Sequence, residues 1–470
     1  MPTHPRLPQP THRVGVTHTI DSLKLVDHWF TVPLTHGLIY GKGEAAALES
    51  RFADQTITVF AREVIDTSDA LTTPVDERPY MVYLQGGPGG KSPRPISEGG
   101  WVQELAKTHR LILLDQRGTG NSTPLSARVI TAQGSPEVQA EFCELFRADS
   151  IIADAEVVRE FLLADRTDKR WSTMGQSFGG FLTLSYLSFA PESLKDSRMT
   201  AGLAPIRSHV DDVYRSTLDR MKERTEEYYG WYPEDKDLAV RICEHLAKNE
   251  EYLPTGERLT PHRFQMLGNI LGGNGRARGL HYVLESAFAE SDKWLSDQFL
   301  TEISAQVSFQ AGPLYGLLHE TIYADGPAQE LGGTSPSASP TNWSAARMYA
   351  ECPDFAEDAS PLLLTGEHIF PWYYEEDPAL RPLAEVAQLL AEKKDWGRLY
   401  DHDQLARNEV PLVAAAYVPD VYVDYAHSMK TAEFVGNTRA WTSKTHHHDG
   451  LGADGPLILG HLKNLLADMR

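Results

Sequence analysis

Ser177 has the setting that says most about chemistry. It stands in GQSFGG (Gly175–Gly180), which fits the pattern G-x-S-x-G. A serine hydroxyl is a weak nucleophile, so it must project from a sharp turn where a general base can take its proton. Such a turn is crowded, and glycine two residues away on each side relieves it. A helix starting behind the serine aims its first N–H groups at the reacting carbonyl. The chain supplies that setting. KRWSTM (Lys169–Met174) reads as a strand, and FLTLSYLSFA (Phe181–Ala190) reads as a helix that stops at Pro191.

A second glycine cluster, GGPGGK (Gly86–Lys91), comes close to a phosphate-binding loop. QGGPGGKS misses GxxxxGK[ST] only because Gln85 replaces the first glycine. A phosphate loop runs on into a helix, and here Pro93 and Pro95 follow at once, which disrupts a first turn. The reading that suits the serine turn is different. A glycine turn after a neighbouring strand offers a free backbone N–H as half of an oxyanion hole. Gly87 is the expected donor, with the N–H of Phe178 as the other.

If Ser177 heads a triad of the α/β-hydrolase kind, an acid and then a histidine must follow it in the chain. Asp420 closes the apolar run VPLVAAAYVP, as an acid at a strand end does. HHHDGL (His446–Leu451) supplies three neighbouring histidines on a late loop, of which His448 is the expected base. Asp424 and His427 are the rival pair. Contiguous histidines do not share one face of a helix or strand, so no metal site is expected. An aspartate at the elbow would have pointed to an epoxide hydrolase or dehalogenase, and Ser177 argues against both.

These residues need a scaffold. ITVFAREVI (Ile57–Ile65), PYMVYL (Pro79–Leu84) and RLILLD (Arg110–Asp115) read as strands, the last two ending in glycine-bearing turns. SIIADAEVVREFLL (Ser150–Leu163) carries a helical apolar stripe with Ser150 as N-cap. Residues 206–350 turn helix-rich and charged, with one glycine-rich interruption, LGGNGRARG (Leu271–Gly279), and a loop by composition at Gly332–Asn342. Strand signals return at SPLLLTGE (Ser360–Glu367) and over Val410–Val423. The expected fold class is α/β: a mostly parallel central sheet flanked by helices. The expected domains are 1–205 and 351–470 for the two parts of that sheet domain, with 206–350 as an inserted helical cap.

Composition sets the outer limits. The chain has 470 residues, 44 Lys+Arg against 65 Asp+Glu, and a formal charge of −21. That balance argues against a nucleic-acid partner, which needs a positive surface. Cys143, Cys243 and Cys352 are an odd number with no CxxC pair, so neither a disulfide framework nor a thiolate zinc site is expected. The start, MPTHPRLPQPTHR, lacks the apolar core of a signal peptide, and the longest apolar stretches fall well short of a membrane span. A reduced, cytoplasmic location is the expectation.

Together these residues resemble the proline iminopeptidase (prolyl aminopeptidase) family of α/β-hydrolases. GGPGG (Gly86–Gly90) resembles the family's His-Gly-Gly-Pro-Gly turn, although Gln85 stands where many members have histidine. DQRGTGNS (Asp115–Ser122) is similar to its Asp-Gln-Arg-Gly-x-Gly-x-Ser segment, in which Asp115 and Arg117 are expected to brace the turns around the site. GQSFGG matches its elbow, and the C-terminal His-Asp-Gly-Leu resembles its catalytic histidine loop. The resemblance implies a serine aminopeptidase that releases N-terminal proline through Ser177, His448 and Asp420 by way of an acyl-enzyme. It implies small peptides with a free N-terminus as partners, with homo-oligomers left open, and no cofactor, metal, nucleic acid or membrane. It also implies that glutamates of the cap bind the substrate's ammonium. Glu320, in the segment LHETIY, is the expected one and Glu351 a second, with Tyr315, Tyr323 and Trp343 as nearby aromatics. The alternative is an esterase or amidase acting on an uncharged substrate.

Overall fold

The computed structural model describes residues 4–36, 43–68, 73–289, 293–326 and 340–469. Its main sheet is built from β1 (Thr11–Ile20), β2 (Leu23–Pro33), β3 (Thr56–Asp66), β4 (Tyr80–Leu84), β5 (Arg110–Asp115), β6 (Trp171–Gln176), β7 (Leu194–Thr200), β8 (Leu412–Tyr417) and β9 (Thr438–Ser443). The order across the sheet is β1-β2-β3-β5-β4-β6-β7-β8-β9. The first three strands pair antiparallel, as does β3 with β5. From β5 to β9 every neighbouring pair is parallel. The fold is α/β, a large and mostly parallel sheet with helices on both faces.

The burial pattern explains the short apolar runs. Every residue of β4 is buried. Val82 and Leu84 of β4 and Ile112 and Leu114 of β5 join the core on one face, with the helices Ala148–Leu162 and Phe178–Phe189. Met81, Tyr83, Leu111 and Leu113 join the other, under the helices Gly100–Ala106 and Gly450–Ala467. A strand covered on both faces reads as a continuous apolar run, and its period of two appears only when the faces are known.

Among the described residues, 201–411 add no strand to this sheet. They are mainly helical, with Val210–Trp231, Pro233–Lys248, Asn274–Glu285 and Asp297–Val307 the longest helices before residue 344. Three local expectations change. SPLLLTGE is not a strand. Leu362, Leu363 and Leu364 are buried, but their backbone is satisfied by side chains of the helical region. Tyr229 Oη donates to Leu362 O (2.8 Å) and Gln265 Nε2 to Leu363 O (2.9 Å), and Leu364 N donates to Thr225 Oγ1 (3.3 Å). An apolar run of this length cannot be told from a strand by periodicity. The helix expected from Ser150 begins at Ala148, with Ser150 buried in its first turn. Arg147, at its N-cap position, is held by tertiary contacts, donating to Thr321 O and Ala324 O and lying over the Trp396 ring. Strand β8 covers only part of Val410–Val423. Of the loop expected at Gly332–Asn342, residues 332–339 lie outside the described residues.

Candidate active site

The turn after β6 carries Ser177 at φ 57° and ψ −126°, a left-handed conformation that a non-glycine residue rarely adopts. The two pattern glycines are needed for close approach. A Cβ on Gly175 would lie 2.3 Å from Gly179 O, and one on Gly179 would lie 1.8 Å from Leu84 O. The elbow is therefore wedged between its own helix and the end of β4.

His448 stands between Ser177 and Asp420. Its Nε2 is 2.9 Å from Ser177 Oγ, and its Nδ1 is 2.9 and 3.1 Å from the two oxygens of Asp420. Asp420 is fully buried and also accepts from the N–H groups of Tyr422 (2.9 Å) and Val423 (3.1 Å). An acid acting only as acceptor fixes the tautomer: Nδ1–H donates to Asp420, which leaves Nε2 free to accept the serine proton. Burial works against the imidazolium. The Asp420 charge and hydrogen bond, helped by Glu367, outweigh it and hold the His448 pKa above its ordinary value. The Tyr422 ring meets the imidazole edge-on at 4.8 Å and restricts its swing. The neighbouring histidines diverge, His446 to Ser443 Oγ (2.7 Å) and His447 into a separate buried position. Among the described residues no cluster of three or more metal-ligating side chains occurs.

The rival pair lies elsewhere. Asp424 caps the helix Tyr425–Phe434 by accepting from His427 N (3.0 Å), and it pairs with Arg220 at 3.1 Å. His427 contacts Ser208 (2.6 Å) and Ser216 (3.0 Å).

The glycine turn after β4 lies against the elbow. A Cβ on Gly86 would come 2.9 Å from Ser177 Cβ. Gly87 follows, and Phe178 begins the helix behind the serine, so its N–H is one of the donors that helix geometry leaves without an internal acceptor. The DQRGTGNS segment holds this turn in place. Gln116 Nε2 donates to Gln85 O (2.7 Å). Asp115, fully buried, accepts from Ser92 N (3.0 Å), Asn121 N (2.7 Å) and the Arg94 guanidinium. Arg117 lies deeper, bonded to Leu34 O, Leu145 O and Asp154.

The two cap glutamates singled out in the sequence have other surroundings. Glu320 is buried and turned toward the helix Ser344–Ala350, where it accepts from Ala345 N at 3.1 Å. Burial raises its pKa, and the surrounding donors do not bring it back. Glu351 is exposed and pairs with Arg215 at 3.4 Å. Trp343 bonds to Gln388 (2.8 Å) and packs on Tyr374, while Tyr323 packs edge-on against Phe181 and Tyr214.

A third glutamate, Glu367, acts electrostatically on the triad histidine. Its Oε2 is 3.5 Å from His319 Nε2, the Tyr315 hydroxyl bonds to it, and its charge reaches His448. Burial pushes its pKa up, but the His319 hydrogen bond and charge, with the His448 charge, leave it below the usual carboxylate value. It lines a cavity of about 190 Å³ with Asn269, Phe309, Tyr315 and Tyr373. The segment LHETIY thus reaches the site through His319 rather than Glu320. The signal for Glu367 was present: it is an acid closing an apolar run, the same signal that singled out Asp420. A gap of only about 10 Å³ lies among Pro88, Phe146, Phe178, Leu318, Ile322 and Tyr400.

Comparison with known proteins identifies the fold and the relatives. Residues 79–217 match the α/β-hydrolase fold family. A proline iminopeptidase of Aeromonas sobria is 40% identical over 452 residues, covering 96% of this chain and 98% of its own. A proline iminopeptidase of Aspergillus aculeatus is 36% identical over 448 residues, covering 93% of each.

Proposed function

The chain belongs to the proline iminopeptidase family of α/β-hydrolases, and we propose that it removes N-terminal proline from peptides with Ser177 as nucleophile. His448 takes the serine proton as Oγ attacks the carbonyl of the first residue, then delivers it to the leaving amine. Asp420 holds the imidazole in the required tautomer and balances the charge it gains. The N–H groups of Gly87 and Phe178 receive the oxyanion. Water then hydrolyses the acyl-enzyme by the same route. Glu367 takes the free ammonium.

One observation carries this reading: Ser177, His448 and Asp420 are joined at hydrogen-bond distances, and the charge of Glu367, a carboxylate 3.5 Å from His319, bears on the same imidazole. An esterase for uncharged substrates has no use for that charge, and its desolvation would be a cost without return. Every group named comes from one chain, so the reaction needs no oligomer. A cytoplasmic setting belongs to the reading and is supported by the free thiols Cys143, Cys243 and Cys352. No helix among the described residues is long and apolar enough to cross a membrane.

Turnover of a proline arylamide beside its N-acylated form tests the proposal. Cleavage of the free amine alone is expected. Equal turnover of the two would favour the esterase or amidase instead. A fluorophosphonate probe should label the wild type and leave Ser177→Ala unlabelled.

A further inference from the structure

Ser177, Asp420 and His448 follow the carboxyl ends of β6, β8 and β9, the edge at which open α/β sheets bind ligands. A cavity of about 380 Å³ opens at the other end of the parallel strands. Pro79 and His109 line it just before β4 and β5, Ser172 near the start of β6, and Lys195 and Asp196 near the start of β7. Five residues separate Ser172 from Ser177, about 16 Å along an extended strand. Two helices complete the walls, Gly100–Ala106 through Leu105 and Gly450–Ala467 through Leu459 and Leu466. The second helix leaves helical geometry at Asp454, so a break separates its cavity-lining part from the loop that carries His448.

The walls are mainly apolar, and the sheet side is not. Ser172 is buried, and its Oγ has no hydrogen-bond partner among the described residues. Buried hydroxyls are nearly always bonded, so one left open at a cavity points to a partner from outside the chain. Trp171 and Thr173 pair with Leu194 and Ser197, which sets Lys195 and Asp196 opposite Ser172. The acids of the cavity are already engaged. Asp196 lies 3.2 Å from Arg198, and Glu104 lies 2.6 Å from Lys107. Lys195 and Lys463 differ. Both line the cavity, both are exposed, and neither makes an ion pair among the described residues. On a chain with 65 acids against 44 bases, two uncommitted ammonium groups over one cavity are a local excess of positive charge.

We propose that this cavity binds a small organic acid, a carboxylate carried on a short apolar chain. The Ser172 hydroxyl donates to the carboxylate, and Lys195 and Lys463 supply its countercharge. The apolar chain lies against Leu105, Leu459 and Leu466. Lysine stems fold readily over such a mouth while their ammonium groups stay in water. Ligand cavities combine apolar walls with a few polar groups that fix orientation, and this one has both. A cationic ligand would find no acid left to meet it, and a neutral one would leave both lysines unused.

Titration calorimetry of the full chain with hexanoate, hexanol and hexylamine tests the proposal. Hexanoate should bind saturably and about 10-fold tighter than either of the others, and rising salt should erode the difference. Lys195→Gln combined with Lys463→Gln should weaken hexanoate by about 10-fold, the scale of two partly exposed charge pairs. Ser172→Ala should weaken it by about 5-fold, as expected for one lost hydrogen bond. Gly460→Leu should abolish binding, because Gly460 lines the cavity and a Cβ there meets no atom within 4 Å. Turnover of proline arylamide should stay unchanged throughout, since none of these residues touches the triad. A wild type that takes up no hexanoate, or takes up hexanol or hexylamine equally well, overturns the inference. Full hexanoate affinity in the double lysine variant and in Gly460→Leu also overturns it, by placing the acid elsewhere. The double lysine variant decides alone if the leucine variant fails to fold.

Discussion

Glu320 and Glu367 are both glutamates of the helical segment, and both stand mostly out of water, yet their pKa values move in opposite directions. Burial pushes each up. Around Glu320 the donors are mainly neutral groups at the start of the helix Ser344–Ala350, and the shift stays upward. Around Glu367 the His319 contact and the His448 charge reverse it. Burial alone therefore does not make an anionic subsite. The donors and charges packed around a carboxyl decide whether it keeps its charge, and only a charged carboxyl can balance a substrate's ammonium.

The largest effect sets the floor for this contrast. Asp420→Asn should lower kcat by about 10⁴-fold, because the wrong tautomer then faces Ser177. Asp424→Asn should leave kcat nearly intact, and the reverse outcome in steady-state assays would move the acid. The contrast itself is tested next. Glu367→Gln should lower kcat/KM for proline arylamide by about 10²–10³-fold, the scale for stranding a charge whose partner is gone. Glu320→Gln, which keeps an acceptor for Ala345 N–H, should change it by less than about 3-fold. A large KM defect from Glu320→Gln with little from Glu367→Gln would invert the assignment.

Stability offers a smaller but sharper readout. A carboxyl with a raised folded pKa favours the folded state below its unfolded pKa of about 4.3, and that advantage is lost as pH rises through the folded value. One with a lowered folded pKa contributes above its unfolded value and loses the contribution as pH falls. Relative to wild type, the Tm of Glu320→Gln should therefore improve between pH 4 and pH 8, and that of Glu367→Gln should worsen. Parallel trends in calorimetry would break the comparison. The smallest effect concerns His448. Its raised pKa puts the acid limb of kcat/KM above the ordinary histidine value of about 6.5. Removing the Glu367 charge should lower that limb by a fraction of a pH unit, measured on an uncharged ester that does not use the ammonium subsite.

Much of the sheet was legible because its strands are short apolar runs closed by glycine turns. Ile57–Ile65 falls within β3, and the runs at 79–84 and 110–115 become β4 and β5. The same signal misled at SPLLLTGE, where the side chains of Thr225, Tyr229 and Gln265 take the place of a neighbouring strand. Three adjacent histidines could not be separated by spacing, and in the folded chain only His448 reaches Ser177. Glu320 and Glu351 look as suitable as Glu367 in the sequence, since each is an acid near aromatic residues.

What the sequence by itself determined is whatever a few adjacent residues constrain. The strained φ of Ser177 and the contacts at Gly175 and Gly179 exclude nearly all other residue types, so the elbow announces itself in six letters. The bracing of the glycine turn by DQRGTGNS is likewise written in short segments. Only the tertiary structure decided where each acid's side chain lies. Glu320 and His319 are neighbours in one short helical turn, and their side chains leave it in different directions, one to the helix at 344 and the other to Glu367. That choice depends on which elements pack around the turn, and those elements come from residues far away in the chain.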